Sequence, residues 1–479
     1  MVSPVEPGSA AKSSSAVAIL ERDAKVTSYG LRAAELSPME TLAQSISGIA
    51  PTVTPFVTIP LVFALSGNGT WLAYLLATGG ILLVAWCVGR FARYSTSPGS
   101  LYSYAAMILP PWLGAIAAWS LLLAYVGTSA CNIAAFYHYA NLMRGDASGH
   151  IPSTLLMAAV VGGVPMWICW RDVKVSARLM LLIEAFSVTF IIVVLLLVLV
   201  RHGLHGDADQ LHLRGVTGSS FRTGLVLAMF SFVGFESATT LGSEARNPLK
   251  SIPRAVILSA VLAGAFFTAC AYIEVLGSRM AGVDLGTSKA PMHVLAGVGG
   301  APVFGILIDI GALVSLFAGI LACTTAAARV LLLMAHNGLA HGSLRATHAR
   351  HETPTGAIVV SGLAALLPVA ILTAKGAGGL DIYGWIGTLA TYGFIVTYAL
   401  VCSALPRYLR EHHGVVNAAT IIIPWLGFIA MMLGLIANLY PVPAGPYGKL
   451  PYIYLAYLSV ALVWFPFRSR RNERARIVS

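Results

Sequence analysis

Four acidic residues of this 479-residue chain, Glu184, Glu236, Glu274 and Asp309, fall inside long apolar runs or near their ends. A charge at the centre of a bilayer costs about 3 kcal/mol on insertion scales, so an ionisable group there calls for a use. Burial holds a carboxyl back from ionising and lets it exchange protons near neutral pH. The competing use is a carboxylate that binds backbone N–H groups and never changes charge. Glu236 ranks first, because it closes Phe232-Val233-Gly234-Phe235-Glu236, where a glycine interrupts the apolar run beside the carboxylate. Glu184 and Asp309 fit either use, including plain interhelical hydrogen bonding. Glu274, near the end of its run, reads as solvated.

A second interruption lies at Ser45-Ile46-Ser47-Gly48-Ile49-Ala50-Pro51-Thr52. A helix broken at mid-membrane exposes N–H groups at the start of one half and carbonyls at the end of the other. It is tolerated only where protein or a watery cavity receives them. N–H groups near Ile49 and Ala50 suit a carboxylate, and carbonyls near Ile46 and Val233 suit an ammonium; together they fit an α-amino acid. The rival reading is a kink or a close helix contact, since Gly and Pro are common in membrane helices.

The elements that would hold these groups are membrane spans. Only 10% of the chain is charged and 57% is apolar, against roughly 25% charged residues in soluble domains. Apolar runs occur at about 39–65, 71–92, 111–141, 152–170, 175–200, 218–241, 252–276, 303–335, 355–374, 380–405, 416–440 and 452–467, which makes twelve. Phe186 to Val200 is apolar all round, as lipid or protein on every face requires. With the N-terminus inside, the 30 Lys and Arg divide 22 to 8 in favour of the inner segments, so both termini are expected in the cytoplasm. The same division accounts for the net charge of +11 without nucleic acid. Residues 1–38 read as a flexible cytoplasmic tail without a secretory signal, and 468–479 as a basic tail against lipid headgroups. The two interrupted runs are five spans apart, an odd offset. They can therefore hold matching places in inverted repeats at 39–200 and 218–405, with 416–467 added.

Other chemistry is weakly represented. Cys87, Cys131, Cys169, Cys270, Cys323 and Cys402 form no CxxC pair and lie near no histidine cluster, so neither a metal nor a disulfide is expected. His336, His341, His348 and His351 read as a solvated loop and His138 as interfacial. No phosphate-cradling Gly-x-x-x-x-Gly-Lys-[Ser/Thr] occurs, so ATP does not drive the chain, and no polar catalytic cluster points to an enzyme.

Phe232 to Glu236, followed by Ser243-Glu244-Ala245-Arg246-Asn247-Pro248-Leu249-Lys250-Ser251-Ile252-Pro253-Arg254-Ala255, closely resembles the sixth helix and following loop of amino-acid permeases in the amino acid–polyamine–organocation superfamily. Pro98-Gly99-Ser100-Leu101-Tyr102-Ser103-Tyr104, Lys174-Val175-Ser176-Ala177-Arg178 and Ala328-Arg329 with Met334 to Leu339 resemble three further family stretches, in order over about 36–467. The resemblance implies an all-α integral membrane protein of twelve transmembrane helices: a five-plus-five inverted repeat with discontinuous helices 1 and 6, plus two extra helices. It implies alternating access for amino acids or polyamines in a cell membrane; no cofactor is expected, with a proton or a sodium ion as possible coupling ion.

Carried over residue by residue, Ile46, Ser47, Gly48, Ile49 and Ala50 would hold the substrate carboxylate and part of the ammonium. Phe230, Val233 and Gly234 would complete the ammonium site, the Phe230 ring acting as a lid. Ser47-Gly48-Ile49-Ala50-Pro51 departs from the family's Gly-Ser-Gly type, which leaves individual contacts open. Thr128, Cys131, Cys323 and residues near Thr391 would face the cavity; small and uncharged, they tilt the substrate toward neutral amino acids. Glu236 matches a family acid implicated in proton or gate coupling, with Glu184 and Asp309 behind it. No lysine lies within Val175–Val200, where some relatives place one near the Ser187 position, so proton coupling, sodium symport and ion-free exchange all stay open. The runner-up is a polyamine or amino-acid/amine exchanger. A non-transporting sensor would call for a longer tail.

Overall fold

The computed structural model describes residues 29–31, 34–145, 150–171, 173–203, 205–288, 290–414, 417–440, 442 and 445–463. Most of the expected N-terminal tail (1–28), the basic tail 468–479 and the side chains of Lys174 to Arg178 lie outside the described residues.

The helices in chain order are α1 (Pro38–Ile49), α2 (Ile59–Ser66), α3 (Thr70–Phe91), α4 (Ser100–Ala106), α5 (Pro111–Met143), α6 (Ile151–Arg171), α7 (Val173–Arg201), α8 (Ala208–Leu211), α9 (Gly218–Phe230), α10 (Pro248–Met280), α11 (Pro291–Val298), α12 (Pro302–His336), α13 (Thr355–Ala374), α14 (Gly379–His413), α15 (Ala418–Leu439) and α16 (450–463). Among the described residues no strand forms; one isolated bridge joins Leu36 to Ala245. Among the described residues, nine helical stretches are long and apolar enough to cross a membrane, Pro38–Phe91 being taken as one. The 13 residues of α9 are too few to cross by themselves.

The outer helices carry a belt of exposed apolar side chains, among them Leu156 on α6, Leu196 on α7, Leu367 on α13, Leu433 on α15 and Val460 on α16. So much contiguous apolar surface requires lipid to cover it. The chain is an integral membrane protein. The centre is filled by α5, α12 and α14, and close approach there rests on small residues. A Cβ on Gly127 of α5 would lie 2.9 Å from the Ala390 Cβ of α14.

Both interruptions follow from local chemistry. Ser37 and Glu40 cap α1 reciprocally, the Glu40 N–H donating to Ser37 Oγ (3.3 Å) and the Ser37 N–H to Glu40 Oε2 (2.8 Å). The helix stops at Ile49, because Pro51 has no N–H to continue it and disfavours helical geometry in the residue before it. Ala50 turns to φ 50°, ψ 65°, and the chain resumes through a wide turn at Thr54–Thr58 into α2. α9 ends at Phe230; Gly234 takes φ 98°, which a glycine adopts freely, and a tight turn at Ser237–Leu241 follows.

One face of the bundle gathers Ser37, the loop before α10 and Asn337, with the Tyr29 ring 5.2 Å from His336. The opposite face gathers Asn68, α8 and the end of α10. There Arg279 Nη1 binds Asp207 at 2.7 Å and Gln210 Nε2 donates to it at 3.0 Å. Burial alone would raise the Asp207 carboxyl, but the Gln210 amide and Arg279 guanidinium outweigh it and hold it below its ordinary 3.8.

Candidate functional site

The two interruptions meet at the centre of the bundle, backbone to backbone. A Cβ on Gly48 would lie 2.9 Å from the Gly234 carbonyl oxygen, and one on Gly234 would lie 2.5 Å from the Gly48 carbonyl. Only glycines permit this approach. Flanking bonds hold the register: Ser237 Oγ donates to the Gln44 carbonyl (2.9 Å), and the Ala238 N–H donates to Ser45 Oγ (3.1 Å). Behind them Gln44 Nε2 reaches the Ala322 carbonyl of α12 (2.9 Å).

One expectation about free backbone groups needs correction. The Ala50 N–H is not free: its left-handed turn points it back onto the Ile46 and Ser47 carbonyls at 3.1 and 3.2 Å. At the second break the Val233 N–H donates to the Phe230 carbonyl (3.1 Å). The Ile46 and Phe230 oxygens each keep a second lone pair. Ser47 is fully buried and its hydroxyl has no partner, so it is a polar group at the break with a vacant bond.

Phe230 floors a cavity of about 480 Å³ that opens between α2, α9, α14 and α15, lined also by Leu61, Tyr383, Thr391 and Asn438. Its ring sits edge-on to Tyr383, centroids 5.9 Å apart, and a Cβ on Gly387 would be 3.0 Å from Phe230 Cζ. The Tyr383 hydroxyl pairs with Thr58 Oγ1 (3.3 Å), tying α14 to the turn after the first break. Thr128, Cys131 and Cys323 are buried, and Cys131 lies near both Cys323 and Tyr383. The Thr128 hydroxyl donates to the Ala124 carbonyl (2.9 Å) and the Cys131 thiol to the Thr128 carbonyl (3.2 Å), so neither polar group points at a ligand here.

The carboxylates divide sharply. Glu236, fully buried, accepts from the Tyr125 hydroxyl at 2.8 Å and the Tyr398 hydroxyl at 2.6 Å, which links the second break to α5 and α14. Glu184 accepts from Ser315 Oγ (2.6 Å) and Thr52 Oγ1 (3.3 Å) and faces the Thr52 N–H, linking the first break to α7 and α12. Asp309 stands apart, 3.5 Å from His293 Nδ1 between α11 and α12. Glu274 is 0% exposed, and neither of its oxygens has a hydrogen-bond partner. The expectation that it is solvated is overturned, because α10 continues to Met280 and is packed between α3 and α11.

Tyr125, Tyr398, Thr52, Ser315 and His293 were not singled out from sequence. Only Tyr125 carried a signal, one helical turn before Thr128 on the same face of α5.

On the face that carries Ser37, the cleft is shut. Arg329 of α12 donates through Nε (2.5 Å) and Nη2 (2.8 Å) to both oxygens of Glu244, and through Nη1 to the Thr325 carbonyl (3.0 Å). The two side chains are 2% and 3% exposed. The Glu35 and Leu36 N–H groups both bind the Glu244 carbonyl at 2.9 Å, laying the chain before α1 across the seal.

Two interrupted helices crossing at mid-bundle, with a cavity toward one face and an ion-pair seal toward the other, define a transporter-type membrane protein. The amino acid permease family matches residues 40–474, and the chain belongs to that family. It is 27% identical over 340 residues to the low-affinity putrescine importer PlaP of Escherichia coli (strain K12), covering 66% of this chain and 70% of that protein. It is 24% identical over 367 residues to the methylthioribose transporter of Bacillus subtilis (strain 168), 74% and 76% of the two chains. To the branched-chain amino acid permease BcaP of the same organism it is 25% identical over 310 residues, 60% and 64%.

Proposed function

We propose that the chain is a secondary transporter that moves amino acids across a cell membrane by alternating access, neutral ones preferred. The observation that carries this reading is the Gly48–Gly234 crossing between the Phe230 cavity and the Arg329–Glu244 seal. A small dipolar solute entering from the cavity would pass Phe230 and meet backbone dipoles and the vacant Ser47 hydroxyl. Opening the seal while the cavity collapses would release it on the other side. In this reading the first and second breaks belong to inverted repeats 39–200 and 218–405, twelve spans cross the membrane, and the sealed face with both termini is cytoplasmic. Ile46, Ser47, Gly48, Ile49 and Ala50 would meet the substrate carboxylate; Phe230, Val233 and Gly234 the ammonium. Thr128, Cys131 and Cys323 would meet the side chain, and their lack of charge supports a neutral substrate. Glu236 and Glu184 act as gating groups, since each fastens one break to the surrounding helices.

A second reading, amine exchange, draws on the likeness to a putrescine importer. Uptake of labelled leucine, arginine and putrescine into proteoliposomes, with pH and sodium gradients imposed separately, distinguishes them. Leucine uptake that competing putrescine leaves intact is the expected result. Transport of putrescine alone, and only against a counter-substrate, would replace the first reading with the second.

A further inference from the structure

Glu274 is used by nothing described so far. We propose that it is a proton-carrying site, loaded in this conformation and discharged when the second break rearranges, so that transport is coupled to protons through α10. The inference rests on the transporter reading above.

The surroundings of Glu274 offer its charge no compensation. α10 packs against α1, α2, α3, α7 and α11, the turns at Thr54–Thr58 and Ser237–Leu241, and the turn at Leu285–Thr287. α2 and these three turns carry no charged side chain. The described charged groups on the remaining elements are engaged elsewhere: Glu40 with the Ser37 N–H, Glu184 with Ser315 and Thr52, and Arg201 with the Val298 carbonyl. His293 pairs with Asp309 and Arg90 lies over Trp86. On α10 itself Arg279 is held by Asp207, while Lys250 and Arg254 lie in its first two turns. The ionisable groups that do face Glu274 are Tyr74 of α3 and Cys270 of α10, and neither brings a positive charge. An isolated carboxylate in such a place neutralises itself by taking a proton.

Tyr74 connects the surroundings of Glu274 to the second break. The Tyr74 hydroxyl pairs with Ser231 Oγ at 3.0 Å, and Ser231 directly follows Phe230, the floor of the cavity. Ser231 belongs to the second break, whereas Tyr74 and Glu274 stand on the uninterrupted helices α3 and α10. Movement of the break withdraws Ser231 from Tyr74. The freed hydroxyl can then donate to the Glu274 carboxylate, which stabilises the anion, and the proton passes to water admitted on the newly opened side. The step moves one proton and makes or breaks no other bond. Glu236, already bonded to two tyrosines, lacks this change of partner.

The test compares the purified full chain with Glu274→Gln, which keeps the shape of the protonated group. Infrared spectra at neutral pH should show a protonated-carboxyl band in the wild type that the variant lacks; identical spectra overturn the proposal. In proteoliposomes, an inward gradient of one pH unit should drive up to about tenfold leucine accumulation for one coupled proton. Glu274→Gln should abolish that accumulation and keep leucine–leucine counterflow. Equal accumulation in both proteins, accumulation driven by sodium instead, or loss of counterflow together with accumulation would each refute proton carriage. Absence of leucine counterflow from the wild type would strike the transporter reading, while the infrared comparison would still decide the state of Glu274.

Discussion

Replacing Glu244 with Gln keeps the shape of the seal and removes its negative charge. Arg329 then keeps its Nη1 bond to the Thr325 carbonyl and one neutral bond to the amide oxygen, but its charge is left uncompensated inside a site where it is 2% exposed. Removing one partner of a buried pair costs about 3–5 kcal/mol, because the charge left behind is uncompensated. With the seal open both groups face water, where such a pair is worth about 0–1 kcal/mol. The closed state should therefore lose about 3 kcal/mol relative to the open one, a shift of roughly a hundredfold in their ratio.

Cys169 reports that ratio. It is 4% exposed, and its thiol pairs at 3.1 Å with Thr325 Oγ1, the residue whose carbonyl also holds Arg329. With Cys169 as the only cysteine, its alkylation by an impermeant reagent applied from the sealed face should accelerate by about two orders of magnitude in Glu244→Gln. The double variant Glu244→Gln/Arg329→Gln should fall back toward wild type, since it strands no charge. Alkylation at the same rate in all three proteins would show that the pair does not close the path.

Two further perturbations probe the crossing and the opposite face. Gly234→Ala places a Cβ 2.5 Å from the Gly48 carbonyl at a φ of 98°. Overpacking of about 1–3 kcal/mol and a left-handed penalty of about 1–2 kcal/mol should lower thermal stability and abolish leucine binding; wild-type melting with intact binding would refute the close approach. Asp207→Asn tests a depressed carboxyl. Because the folded-state value lies below 3.8, its contribution is present above that value and is lost as pH falls through the lower folded one. The melting-temperature gap between wild type and variant in detergent should be open at neutral pH and close below 3.8; a gap independent of pH would sink the assignment.

How far the sequence discloses this molecule depends on whether a feature is local. Both breaks are legible, because Pro51 and Gly234 act on their own backbone, and Glu236 is legible because it adjoins one of them. The depth of Glu274 is not. The apolar run ends near 276, two residues beyond it, whereas the helix continues to Met280 and is covered by a segment some twenty residues later in the chain. The left-handed turn at Ala50, which consumes the N–H expected to be free, is a positive φ that an alanine does not announce. The tyrosines on Glu236 come from 111 and 162 residues away, and such pairings are set by packing rather than spacing.

The same contrast separates latch from hinge. Glu236 and Glu184 are held by hydroxyls, which can rotate to another acceptor when a break moves, so each bond exchanges at small net cost. Arg329 and Glu244 have no such freedom: a buried guanidinium must keep its carboxylate or reach water. In the proposed alternating-access reading, the broken segments would therefore shift gradually against α5, α7, α12 and α14, while the seal would open in one step. A transporter needs both properties, a compliant centre that accommodates the solute and a closure with only two states. In that reading they are divided between hydroxyl–carboxylate bonds at the crossing and one buried ion pair at the sealed face.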